Sequence, residues 1–395
     1  MTQNKEKGSV TFSRGIRVKV SDPFFCMMAL IALVLTSAEA RSQDADSTRR
    51  GISVSGVLFL NYQYGGTRDA GSANRFEIDR AYLTARAATS RRDSIRVTLD
   101  VFQQRDDNRD DYYSGWSMRV KYAYFNHDFV RDTGRGVSVF ARLGLIPTVV
   151  IEQEERFWPR GLSPVAVDLN GYFNSADAGV AVGMTLPDRK GEVYATVVNG
   201  SGYTSRETDR YKDFQARLTL TPFSSTSGWL SGLELTPWLS FGARASDFVD
   251  GKGTVSPVTD ARRKHRFGFL TTYRNHRLAL GAHIARRLDV AETADTLQAT
   301  APSARDVTGR LMSIFGLWRP FATGTRTSPW SVLARVDDVR PDDALNAALR
   351  RYIVGASLDL GPRTSVTFDV QSLFPKSGSV TTPSRTFFLH LIANF

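Results

Sequence analysis

The sequence predicts an all-β protein, a transmembrane antiparallel β-barrel of about sixteen strands with a long third outer loop. Three observations carry that expectation. Apolar residues recur with period two through residues 51 to 395, which is the strand period rather than the helical 3.6. Many of the alternating segments reach ten residues or more, about the length a tilted strand needs to cross a bilayer. The connections between segments sort by length, averaging about 15 residues at one rim and about 6 at the other, as in outer-membrane barrels with long outer loops and short periplasmic turns.

Composition removes the rivals. With 23% charged residues in 395, the chain is too polar for a bundle of membrane helices, each needing roughly 20 consecutive apolar residues. Its 24 Phe, 13 Tyr and 6 Trp exclude a disordered tail. A soluble sandwich alternates too, but has no reason to sort its connections.

In chain order, residues 1–40 read as a signal peptide and 41–395 as the barrel. Lys5, Lys7, Arg14, Arg17 and Lys19 form a basic lead, Phe24 to Leu35 an apolar run too short to span as a helix, and Ala38-Glu39-Ala40 a small-x-small cleavage pattern. Cys26, the single cysteine, lies inside that run, so the exported protein has no disulfide and must hold its fold by closing its own hydrogen-bond ladder.

The first strands are expected at 52–64, 75–88, 93–104, 116–128 and 136–146. In the third, Ile95, Val97, Leu99 and Val101 alternate with Arg96, Thr98 and Asp100; in the fourth, Met118, Val120, Tyr122 and Tyr124 face away from Arg119 and Lys121; in the fifth, Val137, Val139, Ala141 and Leu143 face away from Arg142. The second reads Phe76, Ile78, then Ala81, Leu83, Ala85, implying a bulge beside Arg80. Next come 178–186 and 191–199 joined by Pro187-Asp-Arg-Lys190, then 213–222, 233–245, and 264–274 and 277–290 joined by Asn275-His276. The series ends with 306–318, 330–339, 349–360 and 364–373 joined by Gly361-Pro362-Arg363, and 385–395. These short connections carry the residues tight hairpins need. Phe387, Leu389, Leu391, Ala393 and Phe395 share one face of the last strand. Tyr62, Tyr64, Trp116, Phe129, Trp318 and Trp330 sit near strand ends, where interfacial girdles form.

Charge points to what the lumen favours. The chain has 51 basic and 40 acidic residues, and removing the first forty leaves 46 against 37, a balance of +9. Export argues against nucleic acid and leaves an anionic membrane surface or anionic solutes. A charged side chain facing lipid near the midplane costs roughly 2 to 4 kcal/mol for Arg or Lys, so charges belong inside. Alternation places Arg80, Arg96, Arg119, Lys121, Arg142, Arg217, Arg244, Arg266, Arg287, Arg310 and Arg335 on the lumen face, against Asp100, Glu234, Asp337, Asp359 and Asp369. Such a lumen concentrates anions by focusing its positive field between low-dielectric walls.

The connection from Pro147 to Asp177 is the longest, and long loops tend to be functional. Residues 147–177 form a candidate constriction loop with Glu152, Glu155, Arg156 and Arg160, together with Glu154, Trp158 and Asp168. Its carboxylates facing a basic wall would set up a transverse field that favours small polar solutes of either sign. No catalytic residue, cofactor or metal site is expected: His127, His265, His276, His283 and His390 are scattered, with no local catalytic signature and no cysteine to join them.

Gly144-Leu-Ile-Pro147, Glu152, Trp158 to Arg160, Asp177-Ala-Gly-Val180, Val198-Asn199-Gly200 before Tyr203, and Lys212-Asp213 with Arg217 and Pro222 resemble, in order, the phosphate-selective porin O and P family. The resemblance is strongest over residues 116 to 222. It implies a sixteen-stranded, usually trimeric outer-membrane pore that passes anions such as phosphate by facilitated diffusion, with a third loop folded into the barrel. The terminal Phe395 resembles the signal read by the barrel assembly machinery. Two alternatives stay open: a general or sugar-permeable porin, and a non-conducting structural or adhesion barrel.

Overall fold

In hydrocarbon every backbone N–H and C=O needs a partner within the protein, and a sheet that curls until its first strand meets its last satisfies them all. The computed structural model of the protein has that form. It describes residues 51–395 except 68–72, 104–114, 133, 208, 226–227, 250–254, 294–302, 324–327, 346 and 377–381; the expected signal peptide, residues 1–40, lies outside them.

Sixteen strands follow in order: β1 (Ile52–Thr67), β2 (Ala73–Ala88), β3 (Asp93–Gln103), β4 (Trp116–Val130), β5 (Val139–Pro147), β6 (Ala176–Thr185), β7 (Gly191–Val198) and β8 (Asp213–Leu220). The second half comprises β9 (Leu233–Val249), β10 (Val255–Arg274), β11 (Leu278–Thr293), β12 (Ser303–Trp318), β13 (Trp330–Asp342), β14 (Ala347–Gly361), β15 (Thr364–Pro375) and β16 (Ser384–Asn394). Each pairs antiparallel with its sequence neighbours, and β1 closes on β16 from Val57 opposite Asn394 to Thr67 opposite Ser384. Phe395 secures the seam. Its backbone exchanges two 3.0 Å hydrogen bonds with Gly56, and its ring lies where any Cβ on Gly56 would stand, 2.1 Å from Cζ.

The faces are inverted relative to a water-soluble protein. Asp100, Asp337 and Asp369 are 0% exposed, whereas Ile284, Ile314 and Val354 are 54%, 54% and 57% exposed. Apolar residues outside and carboxylates inside are what a lipid-facing barrel requires. Tyr64, Trp116, Phe129, Trp318 and Trp330 are exposed at strand ends. No described helix is long and apolar enough to cross a membrane.

Two bulges shift the faces on β2 and β4. Phe59 lies opposite Arg80 and Leu60 opposite Ile78, so Asp79 is the extra residue and Arg80 turns inward. On β4, Thr98 lies opposite Tyr122 and Leu99 opposite Val120, which makes Lys121 the extra residue. Tyr122 therefore points into the lumen at 2% exposure, and Tyr124 follows it, correcting the expectation that both face lipid.

Where β5 passes β4, Gly144 has φ of +128° and any Cβ would lie 2.3 Å from the Ala123 carbonyl oxygen. Gly144→Val is expected to break this pairing, at about 3 kcal/mol or more from strain and lost ladder bonds. Urea unfolding of the refolded barrel should show a lower midpoint than wild type.

Candidate functional site: a basic opening beside an inward-folded loop

The connection between β5 and β6, residues 148–175, is rich in apolar side chains that have no place in water. Its two short helical turns, α1 (Ile151–Glu155) and α2 (Ala166–Leu169), carry a cluster of Val149, Val150, Ile151, Phe157, Trp158, Leu162, Val165, Ala166 and Val167. This packs on Trp238, Leu270, Leu311, Phe315, Leu333 and Ile353 of β9, β10 and β12 to β14. Burying this much apolar surface stabilises the loop by roughly 25 cal/mol per Å² removed from water. The loop thus lies inside the barrel against one wall.

Polar contacts fix its position around the lumen. Arg335 Nη1 donates to the Pro164 carbonyl at 2.7 Å and Gln371 Nε2 to that of Leu162 at 2.9 Å. Arg160 Nε donates to the Tyr82 hydroxyl at 3.0 Å, and Arg217 Nη1 to the Val149 carbonyl at 2.9 Å. The most enclosed contact is a chain of three. Trp238 Nε1 donates to His283 Nε2 at 2.9 Å, which leaves the imidazole proton on Nδ1, facing Glu154 Oε2 at 2.6 Å. His283 and Glu154 are 0% and 1% exposed. Arg160 is braced by Glu155 and by Asp168 at 2.8 Å; burial opposes its charge, but Glu155, Tyr82 and Asp168 outweigh that and raise its pKa. Burial pushes the Tyr172 phenol up to about 12, against the pull of Arg287.

What the loop leaves open is a cavity of about 560 Å³ against the opposite wall, lined by Arg86, Arg96, Phe140, Arg142, Glu152, Glu155, Arg156, Glu192, Tyr194 and Arg217. Glu152 reaches across it to Arg96 at 3.0 Å, Arg217 pairs with Glu192, and Arg156 with Glu234 at 2.9 Å. Beside it, Arg80 and Arg119 share one carboxylate, Asp100, at 2.7 and 3.0 Å. Arg86, Lys121 and Arg142 form no ion pair among the described residues.

Aromatic faces add to this positioning, and for Lys121 and Arg142 they take the place of a carboxylate. The Arg96 guanidinium lies 4.2 Å from the Tyr122 ring centre, Arg119 4.2 Å from Phe102, Arg142 4.5 Å from Phe140, and the Lys121 ammonium 4.3 Å from Tyr82. Stacking holds a cation without cancelling its charge. Arg142 is further oriented by Asn126 Oδ1 at 3.2 Å.

Arg80, Arg96, Arg119, Lys121, Arg142 and Arg217 are thus gathered on one side of the lumen, on β2 to β5 and β8, with Glu152, Glu155, Arg156 and Arg160 on the loop facing them. Two of the expected pathway residues stand elsewhere. Arg266 is bound by both oxygens of buried Asp289, and Arg335, 1% exposed, by both oxygens of Asp337 beneath the loop. Both point inward but brace the wall instead of meeting the opening. Arg310 faces outward, contrary to its expected place. Arg86 was absent from the expected set, although its alternation with Ala85 and Ala87 becomes readable once the bulge at Asp79 is accepted.

No family model matches the sequence, and no curated protein matches it significantly. Solved structures match in shape. The anion-selective porin from Comamonas acidovorans superposes with a TM-score of 0.57 at 10% identity, over 87% of this chain and 99% of that one. The fold is that of the porins. OprB from Pseudomonas putida gives 0.58 at 9% identity over 88% and 94% of the two chains, and OmpF from Salmonella typhi 0.55 at 11% over 87% and 97%. At such identities the porin likeness is one of architecture, and the protein is an outer-membrane β-barrel.

Proposed function

We propose that the protein is a passive outer-membrane pore that favours small anionic solutes, phosphate among them. The observation that carries this is the one-sided lumen: Arg86 and Arg142, both on the cavity, have no ion-pair partner among the described residues, and Arg80 and Arg119 divide one carboxylate. A water-filled passage beside unpaired cations and low-dielectric walls raises local anion concentration. The sequence resemblance over residues 116 to 222 and the fold shared with an anion-selective porin support the same reading. Glu152 and Glu155 favour a second reading, a general pore for small polar solutes, since carboxylates opposite arginines orient dipoles without selecting a sign. The pore works as a homotrimer in outer-membrane lipid, a form that the resemblance implies and that OmpT of Vibrio cholerae, similar in fold, takes in one structure. Phe395 addresses it to the assembly machinery.

The test is the reversal potential of refolded protein in a planar bilayer under a potassium chloride gradient, repeated with phosphate. Anion-selective current reduced by phosphate is the expected result. Equal permeability to both ions would transfer the case to the general pore, and no current from verified folded protein would end the transport reading.

A further inference from the structure

The lipid-facing wall carries a second basic feature, which the pore does not use. On β12 the buried Leu311, Ser313 and Phe315 point inward, so Arg310, Met312 and Ile314 point outward. In register, Arg286 of β11 lies opposite Arg310, and Arg310 opposite Arg340 of β13. Three arginines therefore stand in one row across three adjacent strands. Like charges directly opposite one another destabilise a sheet, and an arginine row on a lipid-facing surface needs an anionic partner. The protein supplies little: Asp343 lies 3.5 Å from Arg286, and Asp338 accepts from Arg350 at 2.7 Å. Arg310, Arg340 and Lys376 form no ion pair among the described residues.

The neighbouring row, nearer the rim that holds the chain ends, is apolar over β10 to β12 and ends on β13 at Asp338, which lies opposite Met312 and is taken up by Arg350. Phe269, Ile284 and Met312 lie opposite one another on β10, β11 and β12. Together the two rows border a groove of about 700 Å³. Its charged side lies toward the rim with the odd-numbered connections, the outer rim by their length, and Lys376 immediately follows β15 there.

We propose that this groove binds a phosphorylated lipid of the outer leaflet, the lipid A part of lipopolysaccharide. Its phosphates would sit among Arg310, Arg340 and Lys376, where planar guanidinium groups suit phosphate oxygens, and an acyl chain would lie over Ile284 and Met312. Charge complementarity selects this occupant. A second copy of the chain meeting this face about a two-fold axis would bring the arginine row against itself, whereas a three-fold contact joins two different faces and is tested by the oligomer readout below. The inference rests on the outer-membrane setting and is independent of what passes through the pore.

The experiment uses refolded full-length mature barrel in detergent, titrated with lipopolysaccharide, with the same material enzymatically dephosphorylated, and with phosphatidylglycerol, and read by native mass spectrometry and thermal melting. Wild type is expected to retain lipopolysaccharide at least tenfold better than either other lipid. The double variant R310Q/R340Q should lose that tenfold preference, while R131Q, which removes a charge at the opposite rim, keeps it. Without lipid the double variant should melt no lower than wild type, because it has lost a repulsion rather than a bond. Folding is checked by heat-dependent gel mobility; should the double variant not fold, R340Q alone is judged by the same criteria. Undiminished binding by the variant, or equal binding of the dephosphorylated lipid, overturns the proposal. So does dissociation of oligomers by the substitutions in the absence of lipopolysaccharide, which would make this face a contact between copies.

Discussion

Replacing Arg86, Arg96 and Arg142 together with Gln is expected to reverse the anion preference proposed for the lumen. Each charge, about 6 Å from a passing ion in water, contributes roughly 0.7 kcal/mol, so the three together contribute about 2 kcal/mol. The effect acts with opposite sign on anion and cation. Loss of Arg96 also releases Glu152, its partner at 3.0 Å, into the cavity as an uncompensated negative charge. The anion-to-cation permeability ratio should fall at least tenfold at low ionic strength, and less at high salt, where charges beyond the Debye length are screened. Reversal potentials at two salt concentrations measure both. The substitution of Arg266 and Arg335 makes the contrast: each is enclosed with its own aspartate, and their loss should leave the ratio near wild type while lowering stability. An unchanged ratio in the first variant would mean that the ions pass elsewhere.

The second large effect is expected at His283. Its removal in His283→Leu strands the Glu154 carboxylate, whose Oε1 already has no hydrogen-bond partner, in an apolar enclosure. Deleting one member of a buried pair costs about 3 to 5 kcal/mol, and here the cost falls on the inward loop, because the wall strands keep their ladders. Hydrogen exchange over residues 148–175 should rise by orders of magnitude while amides of β9 to β12 stay protected, and single-channel current should become noisier. Glu154→Gln keeps an acceptor for the Nδ1 proton and should cost far less. Equal protection of the loop in both variants would show that its apolar cluster alone suffices to hold it.

The sequence was most legible where one face meets lipid and the other meets water. Arg96, Arg119 and Arg142 alternate with aliphatic neighbours, and their inward placement follows. Legibility fails where that contrast is lost. Because the loop packs against the inner face of β10 and β12 to β14, those strands are apolar on both sides: Leu311 and Phe315 inward, Met312 and Ile314 outward. Period two then carries no sign, and alternation alone places Arg310 on the wrong face. The charges of the loop point to the lumen, whereas Val149, Val150, Ile151, Trp158 and Leu162 require that it be enclosed. The bulge at Asp79 left a trace, a break between Ile78 and Ala81. The one at Lys121 left none, since Arg119-Val120-Lys121-Tyr122 alternates without interruption, and the inward turn of Tyr122 is a tertiary fact.

The way the loop is anchored also orders the events of assembly. Its partners include Tyr82 on β2, His283 on β11, Arg335 on β13 and Gln371 on β15, and Gly161 approaches both Phe59 of β1 and Ile392 of β16. Those two strands become neighbours only at the seam, across nearly the whole chain, and joining such distant segments is the slow step for any topology of this kind. A half-zipped intermediate can seat α1 on the β9 to β12 wall, yet cannot complete the enclosure around Gly161. The passage therefore acquires its final cross-section last, at the moment β1 and β16 meet.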